Sequence, residues 1–395
     1  MLNETYRAML NNKSVIRETF MYGRQRAAQI GSENVFDYSL GNPSVPCPPE
    51  FTEAMQTLLA QEEPVSLHGY CPSQGDPGFR TAVADASDRD LRSALRAKAH
   101  FPTTGAAGAI AHAIRAVTQP GDEVLTFAPY FPEYGPYVAG TGAVLRVVPP
   151  QAPTFQPNLD AFAQMLTEKV TCVLINTPNN PTGVVYSAGT LERMADILRA
   201  KEKEYGTAIV LISDEPYREL AYDGVEVPYV TGFYDDTVIC YSYSKSLSLP
   251  GERIGYVLVP DEVDDARTIY AAVCGAGRAL GFVCAPSLIQ HVIAKCAGQV
   301  SDLSVYKKNR DLLYDSLTAY GFTCVHPDGA FYLFMKTPEP DAYAFCEKAK
   351  KYELLLVPGD DFGAPGFVRI AYCVTTAQIE RALPAFKELA GEYFG

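Results

Sequence analysis

The sequence predicts an α/β fold built on a mostly parallel sheet, followed by a second, smaller α+β unit. Three observations carry this expectation. Between about residues 100 and 260, short apolar runs rich in β-branched residues alternate with segments of helical period. After Pro286 the pattern changes to short runs interleaved with helical stretches. At roughly 150 residues per domain, 395 residues make two or three domains.

The first element is a helix from about Ser14 to Ile30, stopped by Gly31. The chain then passes through LGNPSVPCPP, a stiff Pro-rich connector. The segment Phe101-Pro-Thr-Thr-Gly105-Ala106-Ala107-Gly108 opens a helix that runs to about Val117. Six apolar runs come next: 122–127, 143–148, 170–175, 208–213, 237–242 and 254–259. They lack clean alternation, which suits strands buried on both faces. Between two of them Leu191, Met194, Ala195 and Leu198 form one apolar helical stripe, with Gly206 as the stop. The later runs are 322–326, 331–335, 353–357 and 367–371, with helices near 343–352 and 377–392. The expected division is 1–46 as an arm and helix joining the small domain, 47–285 as the large domain, and 286–395 as the rest of the small one.

Composition narrows the function classes. Thirty-three Lys and Arg against 46 Asp and Glu leave a net charge of −13, and both nucleic acid and anionic membranes need a positive face. Neither is expected as a partner. Ten cysteines are scattered without a C-x-x-C, as reduced thiols of an intracellular protein would be. Five histidines with no H-x-x-x-H spacing make a histidine-held metal unexpected. The opening MLNETYRAMLNNKS is polar, and the stretch from Ala279 to Ala294 is shorter than the roughly 18 apolar residues a membrane span needs. A cytoplasmic location is expected.

Ligands in open α/β sheets sit beyond the carboxyl ends of the strands, so the residues just after each run are the candidates for chemistry. Run 170–175 leads into NTPNNPTG, 208–213 into DEPY, and 237–242 into YSKSLSLPGER. Lys245 comes after a buried strand, where loss of water would lower its pKa and make the amine nucleophilic; a surface lysine in a Ser-rich loop is the other reading. Asp214 could hold a proton on a heteroaromatic nitrogen, or simply cap a helix. Tyr217 and Asn180 could donate to a phenolate oxygen, although N-P-T-G is also an ordinary turn. Small residues at Gly105 to Gly108 would let a phosphate reach backbone amides at a helix start, and Arg253 could pair with it. Pro129-Tyr130-Phe131-Pro132 could lay a ring on a planar cofactor, or fill core. Arg369 within FVRIA needs a partner if buried, either a substrate carboxylate or a structural ion pair.

The joint order of these features resembles the fold-type I pyridoxal 5'-phosphate (PLP)-dependent aminotransferases, the class I and II group around aspartate aminotransferase. The likeness runs from LGNP near residue 40 through Arg369, and Asn180-Pro-Thr-Gly, Asp214-x-x-Tyr217 and Ser242-x-Ser-Lys245 with Arg253 carry it. It implies a large domain with a seven-stranded, mostly parallel sheet. Lys245 would form the Schiff base with the cofactor and later move the proton between Cα and C4′. Asp214 would face the pyridine nitrogen, with Tyr217 and Asn180 at the ring oxygen. Ser242, Arg253 and the amides of Ala106 and Ala107 would hold the phosphate, Phe131 would stack on the ring, and Arg369 and Gly41 would meet the substrate carboxylate, with Asn180 beside them. Tyr70 matches a tyrosine that reaches the phosphate of the other subunit, which implies a homodimer with shared sites.

The implied reaction is ping-pong exchange of an amino group between an L-amino acid (aspartate, aromatic or broad range) and a 2-oxo acid such as 2-oxoglutarate. PLP-dependent lyases of the carbon–sulfur or cyclopropane-forming type share the same cofactor residues, and a non-enzymatic PLP-binding regulator is a further alternative. For the donor side chain, Arg278 could read a distal carboxylate, or Tyr134 and Tyr137 could line an aromatic pocket.

Overall fold

The computed structural model describes Arg7, residues 14–91 and residues 99–395, with the backbone alone for 88–91. The polar opening segment, residues 1–13, lies outside the described residues apart from Arg7. The helix Val15–Ile30 ends at Gly31, whose φ of +91° breaks the helical path while its amide still bonds to Ala27 O. A two-residue strand comes next, β1 (Phe36–Asp37).

Seven strands build the large sheet: β2 (His100–Thr103), β3 (Glu123–Phe127), β4 (Val144–Val148), β5 (Val170–Asn176), β6 (Val210–Asp214), β7 (Thr237–Ser242) and β8 (Gly255–Leu258). Their order is β2-β8-β7-β6-β5-β3-β4. The five from β7 to β4 are mutually parallel; β8 alone runs the opposite way, antiparallel to both β7 and β2, so that β2 at the edge points in the same direction as the five. Every residue of β6 and β7 is buried, as expected for strands with helices on both faces. The helix Ala188–Tyr205 buries Leu191, Met194, Ala195 and Leu198 and stops at Gly206 in the left-handed region.

One strand of the large sheet is not predicted by the apolar runs. The segment expected to open a helix at Phe101 divides into β2 and a helix that starts only at Gly105. Pro102 hides the strand in the sequence, because it has no N–H for a ladder. At the edge of the sheet β2 has a single neighbour, and that is where a proline is tolerated.

The second sheet is antiparallel. It contains β9 (Thr323–Val325), β10 (Tyr332–Lys336), β12 (Val357–Pro358) and β13 (Phe367–Ala371), in the order β12-β13-β10-β9. Between β10 and β12 lies β11 (Leu354–Leu355), which pairs in parallel with β1. This pairing brings residues 36–37 onto the C-terminal third. Arg26 of the first helix donates to both carboxylate oxygens of Glu353, and Tyr38 packs in one core with Tyr306, Phe331, Phe345 and Phe386. A fully buried ring of this kind contributes about 1.5–3 kcal/mol. No helix among the described residues is long and apolar enough to cross a membrane.

Candidate active site

Asn176, Asp214 and Cys240 stand side by side across β5, β6 and β7, so the three strands finish at about one level. A cavity of about 240 Å³ opens just beyond them. After Ser242 the chain turns at once into the four-residue helix Tyr243–Ser246, and Ser242 Oγ accepts from Ser244 N at 3.2 Å as its cap. That turn presents Lys245 to the cavity.

Lys245 Nζ donates to Gly41 O at 2.6 Å and has no carboxylate partner among the described residues. Withdrawal from water lowers its pKa to about 8, with Arg253 and Arg369 acting the same way and Cys373 opposing. Near neutrality a usable fraction of the amine is free of its proton.

Asp214 is buried at the floor of the cavity. Its Oδ2 accepts from Tyr134 at 2.7 Å, while Oδ1 is buried with no partner. Burial raises its pKa from 3.8 to about 7, against the lowering effect of the Tyr134 bond. A raised carboxyl destabilises the fold as pH rises: between about pH 4 and 7 the folded chain holds a proton that the unfolded chain has lost. Cofactor-free protein should therefore lose thermal stability relative to its Asp214→Asn variant across that window. A constant difference between the two melting curves would contradict the buried, unsatisfied carboxyl.

In the same cavity wall the helix Gly105–Val117 begins without a side-chain cap, so its first amides, those of Ala106 and Ala107 among them, are available to an anion. Gly105 has φ +74°, and a Cβ there would sit 3.0 Å from Arg253 Nη2. Arg253 is tied in place by the carbonyls of Pro250 and Thr104, at 2.9 and 3.2 Å. Ser242 and Ser244 share a hydroxyl hydrogen bond at 2.8 Å beside it.

Arg369, at 2% exposure, has no ion-pair partner among the described residues. It donates to Asn180 Oδ1 at 3.1 Å and to Ser39 O, lies between the rings of Tyr332 and Phe362, and keeps Nε unpaired. The structural ion pair considered for it is therefore absent, and burial lowers its pKa. Since Asn180 Oδ1 faces Arg369, its amide nitrogen is left for another acceptor. Tyr217 shares a 2.9 Å hydrogen bond with Tyr332, and burial holds its pKa well above 10. Gly41 passes so close that a Cβ would lie 2.1 Å from the Tyr332 hydroxyl.

All the residues to which the resemblance gives a cofactor or substrate contact line this cavity except Tyr70, whose ring is fully exposed on this chain. Arg278 is also outside it, exposed on the helix Ala266–Ala279. Tyr134 and Tyr137 do not line it either, contrary to the aromatic-pocket expectation. Their short helix packs on the core beside the helix Gly105–Val117, which turns Tyr134 inward onto Asp214. Sequence reading also missed Ile16, Leu40, Ser244 and Tyr332, which belong to the wall. Only Ser244 carried a signal, as a member of Ser242-x-Ser-Lys245.

The donor set fits PLP. The orphaned Asp214 Oδ1 would be satisfied by a protonated ring nitrogen, the uncapped helix with Arg253 by a phosphate, and Arg369 by a carboxylate. The chain is similar to known aminotransferases. The family model described as Aminotransferase class I and II matches residues 33–386. A crystal structure of an amino transferase from Eubacterium rectale is 49% identical, covers 100% of both chains and superposes with a TM-score of 0.97. The aspartate aminotransferase structure of Thermotoga maritima has 27% identity, 96% and 97% coverage of this chain and that one, and a TM-score of 0.86. The aspartate/prephenate aminotransferase of Thermus thermophilus is 28% identical over 89% of this chain and 90% of its own length.

Proposed function

Because the chain belongs to the class I and II aminotransferases and is a transferase of amino groups, we propose that it binds PLP through Lys245 and exchanges the amino group of an L-amino acid with a 2-oxo acid such as 2-oxoglutarate, in ping-pong order. The observation that carries this reading is the buried pair of unmet demands lining one cavity: Asp214 Oδ1 without a donor and Arg369 without an anion among the described residues.

When bound, the cofactor supplies an electron sink for the pair left at the substrate Cα. The chain does the rest. Asp214 keeps the ring nitrogen protonated, and Tyr134 orients that carboxyl by holding its other oxygen. Tyr217 and the Asn180 amide donate to the ring oxygen, and Phe131 covers one face. Ser242, Arg253 and the amides of Ala106 and Ala107 hold the phosphate. Arg369 takes the substrate carboxylate, assisted by Asn180 and by the close backbone of Gly41. The Lys245 amine, lowered to about 8, takes the proton from Cα and returns it at C4′. Ile16 and Leu40 bring apolar surface to the cavity and limit water there.

The cations on the wall, Lys245, Arg253 and Arg369, all have tasks in this scheme, and Ile16 and Leu40 are apolar. Among the described residues the lining therefore favours an apolar or aromatic donor side chain; a dicarboxylate would need a further cation, for which Arg278 of another subunit is the candidate. Donors are compared with 2-oxoglutarate as acceptor, monitoring amine exchange and the change of the cofactor's visible band. Exchange supports the reading, whereas ammonia or pyruvate released without an acceptor replaces it with a lyase. Aspartate turnover unchanged in Arg278→Leu removes that residue from the account.

Arg369→Lys should raise KM for every amino donor by about 10²-fold, because an ammonium cannot reproduce two parallel bonds to a carboxylate. Cofactor content should stay unchanged. A KM that holds would place the substrate carboxylate elsewhere.

A further inference from the structure

Cys71 and Cys284, 213 residues apart in sequence, bring their sulfur atoms to 3.4 Å. Neither lines the active cavity, and both are partly exposed free thiols. Cys71 comes directly after Tyr70 in the loop between the helices Pro64–His68 and Pro77–Leu91, and Cys284 precedes the helix Ser287–Cys296. Gln290 fastens the two segments. Its Nε2 stands 3.5 Å from Cys71 Sγ, 3.7 Å from Cys284 Sγ and 2.6 Å from Ala285 O, and its Oε1 accepts from Asp76 N at 2.7 Å. Val283, a β-branched residue at φ +63°, keeps an unfavourable backbone conformation directly before Cys284. Such a conformation persists only where the surroundings impose it.

We propose that Cys71 and Cys284 are a reversible thiol–disulfide site, closed by a peroxide or a low-molecular-weight disulfide, that fastens the loop carrying Tyr70 to the segment entering the helix Ser287–Cys296. A disulfide needs the sulfurs at about 2.05 Å, so they must approach by a little over 1 Å. With a peroxide, the Cys71 sulfur attacks one oxygen, the O–O bond breaks, and the leaving oxygen departs as water, or as an alcohol. The Cys284 sulfur then attacks the Cys71 sulfur, an S–S bond forms, the S–O bond breaks and water leaves. Two electrons pass from the thiols to the peroxide, and both thiol protons end on its oxygens. With a small disulfide, two exchanges release its two thiols. Burial, then the contact with Cys71, pushes the Cys284 thiol up to about 12, with Gln290 opposing. Cys284 therefore stays protonated until it attacks.

Closure would matter because it immobilises the residue next to Tyr70. That consequence rests on the reading of Tyr70 as a contact to the phosphate of the other subunit; the bond itself does not. Holoenzyme is treated with hydrogen peroxide or oxidised glutathione, alkylated in denaturant and mapped by mass spectrometry. Two of the ten cysteines should escape alkylation, with a mass loss of about 2 Da and peptides 71 and 284 joined. Dithiothreitol should reverse all of this, and Cys71→Ser and Cys284→Ser should each prevent it. Ten alkylated cysteines, a link between other positions, or a Cys71 sulfinic acid or glutathione adduct without the link overturns the proposal, and the wild-type map alone decides this. Release of cofactor from oxidised holoenzyme should be slower than from reduced. If the link forms and release does not change, the disulfide site stands and the Tyr70 reading fails.

Discussion

Lys245→Ala should reduce transamination by about 10⁴-fold or more, because one group both bonds the cofactor and carries the proton. Among the described residues nothing nearby can replace it. The other cations of the cavity are arginines, which stay charged and cannot accept a proton, and the neighbouring Cys373 thiol is pushed up to about 12 by burial. The phosphate contacts and Asp214 are untouched, so the variant should still take up cofactor, more weakly. Borohydride treatment and then mass measurement separate the two effects: the wild-type protein should retain the cofactor mass covalently, and the variant should not. Full turnover in the variant would remove the foundation of the proposed function.

Asp214→Asn should lower turnover by about 10²- to 10³-fold, the scale on which losing one pre-aligned buried electrostatic contact slows a reaction. Asparagine fills the same space but carries no charge to hold a proton on the ring nitrogen. Tyr134→Phe tests the same point from behind. The Tyr134 bond lowers the Asp214 pKa, so its removal should move the acid limb of the rate–pH profile to higher pH, with a smaller loss of rate at the optimum. An unchanged rate in Asp214→Asn would count against the role given to that carboxylate, and an acid limb moving downward in Tyr134→Phe against the role of the tyrosine.

The large sheet was legible because its inner strands are buried on both faces and therefore read as β-branched runs, with helices of clear period and stops such as Gly206 between them. The edge strand β4, exposed at Val144 and only half-buried to Val147, kept the same β-branched composition without that burial. The edge strand β2 was not legible, since Pro102 removes the usual signal and only the single-neighbour position of that strand makes the proline acceptable. Lys245, Asp214 and Asn180 were legible because each stands at or just past a strand end; once the strands are parallel and in register, their ends must converge. Tyr332 gave no such sign. It begins a strand of the other sheet, and only the packing of that sheet against the segment after β6 brings its hydroxyl to Tyr217. Tyr134 read as a wall of the substrate pocket, but the packing of its short helix turns it toward Asp214 instead.

The sequence by itself determined the element types, the succession of chemical groups at the strand ends and the family to which they belong. These depend on residue spacing along a backbone with few allowed conformations. The tertiary structure alone decided that Asp214 keeps one oxygen unpaired, that Arg369 is buried without an anion, and that Cys71 touches Cys284. Burial and contact between residues far apart in the chain arise from how whole elements pack, and no local pattern encodes that.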